Sequence, residues 1–194
     1  MIVSLRTNLT PEQFEMMSGT RGVELVDGDL KEMNMGYECG IVGAIIVQYL
    51  TNYLQSHPLG LLSVSDAGFI CFPHRPRLVR KPDISFVRSG RFPNNRGPRG
   101  YARLVPDFVV EVISPNDTYY EVEDKLNDYL LVKVPLIWVV NPDCRSVHTY
   151  LADGTVRRYT AEEELPGEPL FPGFRVRVAD LFPAPLPTPP VELA

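Results

Sequence analysis

Phe108-Val109-Val110-Glu111-Val112-Ile113-Ser114-Pro115-Asn116-Asp117-Thr118 decides the architecture. Its first six residues are apolar and β-branched or aromatic except for Glu111, a run that reads as a strand covered on both faces. Thr118 and Glu121 have capping-box spacing and open a helix, whose inner stripe is Val122, Leu126, Tyr129 and Leu130. Leu136 to Val140 is a second buried strand, closed by the turn Asn141-Pro142-Asp143. Strand, helix, strand makes a βαβ-like unit.

Hairpins flank this unit. Upstream, Val23–Val26 and Leu30–Met33 meet across Asp27-Gly28, a pair suited to the positive φ of a type I′ turn. Downstream, Ser146–Leu151 and Thr155–Tyr159 meet across Ala152-Asp153-Gly154. Thr10-Pro11-Glu12-Gln13 starts a short helix ending near Ser18, with Thr as N-cap and Pro at N1. Ile41 to Gln55 is the longest helical pattern, and its apolar stripe is wide enough to predict a largely buried helix. Leu61–Ser65, Ala67–Phe72 and Ile84–Val87 read as strands, and Gly90–Gly100 as a mobile loop. The class is α/β or α+β, with a mixed central sheet flanked by helices.

The chain has 194 residues, 44% hydrophobic and 22% charged, which excludes collagen-like, coiled-coil and disordered classes. One domain over residues 1–182 is expected, with a Pro-rich tail (183–194) outside the core. No apolar run approaches the ~18 residues of a membrane span, and MIVSLRTNLTPEQF lacks a secretory signal. A cytoplasmic protein without a membrane partner is the expectation. Cys39, Cys71 and Cys144 are far apart, and so are His57, His74 and His148. Neither a disulfide framework nor a zinc ribbon is written here.

The net charge of −5 hides a segregation. Between residues 75 and 103 stand nine cations (Arg75, Arg77, Arg80, Lys81, Arg88, Arg91, Arg96, Arg99 and Arg103) against one acid, Asp83, a local charge of +8 that leaves −13 on the rest. Such a stripe reads as a footprint for a polyanion, or alternatively as a solvated loop whose arginines pair with acids elsewhere.

A lone acid inside a buried strand costs several kcal/mol unless it is paired or holds a cation, and Glu111 is that acid. Pro82-Asp83 offers a second carboxylate at the start of another strand. Two carboxylates, a main-chain carbonyl and waters suit Mg²⁺, an ion that activates water and stabilises charge on a phosphate. Lys125, on the following helix, would add a point charge. The same residues admit structural readings: Glu111 paired with a buried arginine, Asp83 capping a turn, Lys125 paired with Glu121 four residues earlier.

Val23-Glu24-Leu25-Val26-Asp27-Gly28-Asp29-Leu30, Lys81-Pro82-Asp83-Ile84-Ser85-Phe86-Val87, Phe108 to Pro115, Asp124-Lys125-Leu126-Asn127-Asp128-Tyr129 and Ile137-Trp138-Val139-Val140-Asn141-Pro142 occur in one order. Together they resemble the Uma-type endonuclease family of the PD-(D/E)xK, restriction-endonuclease-like superfamily, from about Thr10 to Phe182. The resemblance implies a four-stranded mixed sheet flanked by helices, and a Mg²⁺ (or Mn²⁺) site at one edge. It places Asp83 at the PD aspartate and Glu111 at the acid of the strand motif. Lys125 matches a lysine moved onto the next helix, Glu24 a further acid near the metal, and the main-chain oxygen of Val112 an extra metal ligand. Two departures stand out: Ile113 occupies the strand-motif lysine position, and Cys39 stands where relatives are expected to carry histidine.

The resulting expectation is a metal-dependent endodeoxyribonuclease, a homodimer with DNA as partner. The alternatives are an inactive nuclease fold kept as a DNA-binding or regulatory module, and a protein–protein platform.

Overall fold

The computed structural model describes residues 7–33 and 36–184, so the Pro-rich tail from residue 185 onward lies outside the described residues. Helix α1 (Pro11–Met16) begins with the expected reciprocal cap: Thr10 accepts from the Gln13 amide while the Gln13 side chain accepts from the Thr10 amide. Strands β1 (Val23–Val26) and β2 (Asp29–Glu32) form a two-stranded antiparallel ribbon. Asp27 (φ 54°) and Gly28 (φ 93°) supply the left-handed pair that its tight turn requires.

Helix α2 (Tyr37–Ser56) follows, and then β3 (Gly60–Val64), β4 (Ile84–Arg88), β5 (Phe108–Val112), α3 (Tyr119–Leu131), β6 (Leu136–Asn141), β7 (Ser146–Leu151) and β8 (Val156–Tyr159). The six strands β3 to β8 stand in chain order in one sheet. Only β5 and β6 run parallel, because α3 crosses between them; all other neighbours are antiparallel. The sheet is larger than the expected four strands, since the β7–β8 hairpin extends it instead of standing apart. Two short strands not foreseen, β9 (Glu164–Pro166) and β10 (Arg175–Arg177), pair with each other.

Parity along β5 and β6 sorts the core into two layers. Phe108, Val110, Val112, Leu136, Trp138 and Val140 pack under α2 and the aromatic C-terminal segment containing Phe171 and Phe174. Phe108 meets Trp138 and Phe171 edge-on at 4.9 and 5.3 Å, contacts that add about 0.5–1.5 kcal/mol each beyond burial. Val109, Ile137 and Val139 face the other way, onto Leu126 and Tyr129 of α3. Glu111 shares their parity, so the sheet turns it toward α3.

Two expectations are corrected. Ala67–Phe72 is not a strand: Phe69 makes single bridges to Arg80 and Ala102. The chain there is threaded between two irregular segments, and the partner amides and carbonyls are found one residue at a time. Helix α2 is not buried all round. Cys39, Val42, Ile46 and Leu50 form its inner stripe, whereas Tyr49 is exposed and Ile41 and Ile45 are half-buried. One sheet face accepts one helix stripe, so the second apolar row is left outside. No described helix is long and apolar enough to cross a membrane.

Candidate active site

Extending the β4–β5 register, in which Ile84 faces Val110, by one step sets Asp83 opposite Glu111. Directly opposed residues of an antiparallel pair share a face, so both carboxylates project toward α3. One step further, Val112 falls opposite Pro82. Proline has no N–H to give to the Val112 carbonyl, and the Val112 amide instead donates to Asp83 Oδ2 at 2.7 Å. The Pro-Asp dipeptide thus ends the ladder, anchors its own carboxylate and leaves a main-chain oxygen on the same side of β5.

Helix α3 closes the site. Its start is the expected capping box, with Thr118 accepting from the Glu121 amide and Glu121 accepting from the Thr118 amide. Lys125 Nζ donates to Glu111 Oε2 at 2.9 Å, and the Tyr129 hydroxyl donates to Glu111 Oε1 at 2.7 Å. Lys125 and Tyr129 are four residues apart on one helix face, so a single helix grips both oxygens of one carboxylate. Glu121 does not take Lys125; it pairs with Lys31 at 3.1 Å. Glu24, buried on β1, accepts from the Lys81 amide at 2.7 Å and from the Arg80 guanidinium at 3.0 Å. Glu24, Asp83, Glu111, Val112 and Lys125 line one cavity of about 50 Å³, together with Lys31, Glu32, Met33, Asp117 and Glu121.

The charges divide unevenly. Burial pushes the Glu111 carboxyl up to about 7, with Asp83 and Glu24 acting the same way and Lys125 and Tyr129 opposing. Burial also raises Asp83, against Lys125 and the Val112 amide. For Glu24 burial is outweighed by Lys125, Arg80 and the Lys81 amide, and the carboxyl is held below its usual range. Lys125 is disfavoured as a cation by burial, yet Glu111, Glu24 and Asp83 together raise it, so it stays protonated at neutral pH.

The donors suit a small hard cation: two facing carboxylates and the Val112 carbonyl, oxygen throughout. Among the described residues no three His, Cys, Asp or Glu side chains gather tightly enough to hold a metal by themselves. Main-chain oxygen and water would complete the shell, as Mg²⁺ prefers.

The cationic stripe is dispersed by the fold. Arg80 is fully buried and spans Glu24, Asp124 (2.6 Å) and Asp128 (2.6 Å). Arg75 joins Asp27 (2.7 Å), Asp124 (2.9 Å) and Asp128 (3.0 Å). Buried Lys81 donates to the Thr20 carbonyl at 2.7 Å and to Asp66 at 3.4 Å. Arg88 and Arg91 converge on buried Asp107 at 2.8 and 2.6 Å, Arg103 meets Glu15 at 2.8 Å, and Arg77 meets Asn8. Only Arg96 and Arg99 make no ion pair or side-chain hydrogen bond among the described residues. Their loop leaves the end of β4 remote from Asp83, five residues or about 17 Å away at ~3.4 Å per residue.

Tyr129, Asp124 and Asp128 are the participants that sequence reasoning missed. Tyr129 reads as an ordinary core position, and the signal that could have found it is its i+4 spacing from Lys125. Cys39 is spent on packing at the end of β5, where its thiol donates to the Ile113 carbonyl at 3.4 Å.

A family model described as "Putative restriction endonuclease" matches residues 11–179. The chain belongs to the Uma2 family. No curated protein matches it. A solved structure shares the fold: a chain from Anabaena variabilis ATCC 29413, described as a putative nuclease belonging to DUF820, superposes with TM-score 0.73 at 18% identity, covering 90% of this chain and 97% of that one. Uma2 membership thus agrees with the nuclease-like mixed sheet, and the match spans every element that lines the carboxylate cavity.

Proposed function

We propose that this Uma2 chain is a divalent-metal-dependent endonuclease that hydrolyses DNA phosphodiester bonds in the cavity between β5 and α3. The observation that carries this reading is the facing of Asp83 and Glu111 across β4–β5, with Lys125 Nζ 2.9 Å from Glu111. Asp83, Glu111 and the Val112 carbonyl would hold Mg²⁺ or Mn²⁺, which would supply Lewis-acid charge to the scissile phosphate and make a nearby water more acidic. Lys125 acts as a protonated donor, orienting the attacking water or a phosphate oxygen and offsetting the added negative charge of the transition state. Tyr129 keeps Glu111 from rotating away. Glu24, locked by Arg80, keeps Lys125 charged. Water adds to phosphorus, one P–O ester bond breaks, and the leaving oxygen takes up a proton.

Incubation of supercoiled plasmid and of a single-stranded circle with Mg²⁺ or Mn²⁺ tests the reading. Wild-type protein is expected to cut, and Asp83→Ala to lose about 100-fold or more, the scale of one removed electrostatic contact. No cutting by the wild type, or equal cutting by Asp83→Ala, overturns it.

A further inference from the structure

The cavity holding the carboxylates is small and acidic. At about 50 Å³ it takes an ion and a water or two, not a nucleotide, so a DNA phosphate meets it at the mouth. Six carboxylates line it against two lysines, Lys31 and Lys125. A cation between Asp83 and Glu111 would offset two of the six, and Glu32, Asp117 and Glu121 would still repel an incoming phosphate. Seven of the nine cations of the stripe are engaged by other groups of the protein. The two wall lysines are therefore the cations best placed to admit it.

They are not equivalent. Lys125 is committed to Glu111. Lys31 stands opposite Glu24 in the β1–β2 register, and directly opposed residues share a face of a ribbon, so both line the cavity. Lys31 Nζ lies 3.1 Å from Glu121 Oε1 with its side chain 26% exposed, so it borders cavity and solvent alike. Glu121 uses its other oxygen, Oε2, for the Thr118 amide and hydroxyl. The ion pair thus joins two walls, the ribbon and α3, one helical turn before Lys125. An ammonium has three N–H donors, and among the described residues Glu121 is its one partner. Two donors remain. An ion pair this open to water adds little to folding stability, so stability alone does not account for it.

We infer that Lys31 is the phosphate-receiving residue of this site: its ammonium, steadied by Glu121, takes a non-bridging oxygen of the DNA backbone at the mouth while Lys125 stays with Glu111. Glu121 is then a positioning residue with two opposed effects. It aims Lys31, and its own charge repels the phosphate. A backbone oxygen carries no base information, so the grip at this residue is independent of sequence. The β1–β2 ribbon gains a second task beside delivering Glu24.

The inference takes DNA at this cavity from the nuclease reading, and it is tested by equilibrium binding, separately from cleavage. Fluorescence anisotropy in Ca²⁺ would follow a labelled single strand and a labelled duplex over a range of salt. Lys31→Gln is expected to bind about tenfold or more weaker, the scale of one hydrogen bond to a charged group. Its slope of log affinity against log salt should fall by about one, the mark of a lost phosphate contact. Lys31→Arg keeps the charge and should keep the wild-type slope. Glu121→Gln keeps the capping box, in which Gln also serves, and removes a negative charge from the mouth, so its binding should be equal or tighter. Unchanged melting temperatures verify the fold of each variant. Unaltered affinity and slope in Lys31→Gln overturn the inference. An equal loss in Lys31→Gln and Glu121→Gln also overturns it, by reducing the pair to a strut between ribbon and helix, and so does a wild type that binds neither DNA. A chain that holds DNA through Lys31 but cuts nothing with Mg²⁺ or Mn²⁺ would sink the hydrolytic reading alone.

Discussion

Lys125 and Glu111 are 14 residues apart in the chain and 2.9 Å apart in space. The helix between the two parallel strands brings them together, and in the proposed nuclease Lys125 would stand in for the lysine that Ile113 does not provide within β5. Lys125→Gln is therefore expected to lower plasmid cutting about 100-fold or more. Lys125→Arg should restore little of it, because a planar fork does not substitute for a compact ammonium. Initial rates on supercoiled plasmid check both.

Tyr129 makes a different prediction. Its hydroxyl is the buried partner of Glu111 Oε1, and Tyr129→Phe leaves that oxygen without its donor. A loss of about 1–3 kcal/mol in urea unfolding is expected, together with slower cutting at unchanged metal concentration.

Glu24 should shape the acid limb of stability. Its carboxyl is held below its ordinary value near 4.5 in spite of burial, by Lys125, Arg80 and the Lys81 amide. A depressed folded value gives stability that is fully present above pH 4.5 and lost as pH falls through the folded value. Glu24→Gln is expected to cost about 3 kcal/mol at pH 7 by leaving Arg80 partly uncompensated. The gap to wild type should shrink below pH 4.5, as measured by thermal unfolding across pH.

Arg80 and Arg96 look alike in a charge count and should behave oppositely. Arg80 is fully buried between Glu24, Asp124 and Asp128, so Arg80→Met is expected to cost about 3–5 kcal/mol. Arg96→Glu on the exposed loop should stay within about 0.5 kcal/mol. Denaturant midpoints separate the two.

The legible parts of the site were those where residue type conflicts with local pattern. An acid in the apolar run of β5 announces Glu111, and a proline ahead of an acid at a strand start announces Asp83. Lys125 was legible only as one of two readings, a partner of the carboxylates or of Glu121, because spacing along a helix does not say which neighbouring element its face covers. The arginine stripe misled for a related reason: linear charge density carries no information about which side chains turn inward. Asp124 and Asp128, four residues apart and flanking Lys125, held the missing clue, since two acids on one helix face next to a buried stripe call for cations. The β9–β10 pair was illegible because three-residue strands carry no period, and the extra sheet strands because a hairpin pattern does not reveal whether it joins a larger sheet.

Helix α3 is the covalent bridge across the single parallel junction, and it also delivers the ammonium and the phenol to Glu111. Chemistry and topology therefore share one hinge. Under the nuclease proposal, Glu111 would gain its ammonium and phenol partners only after residue 129 has emerged from synthesis and α3 has docked, so a shorter nascent chain is expected to be inactive on nucleic acid.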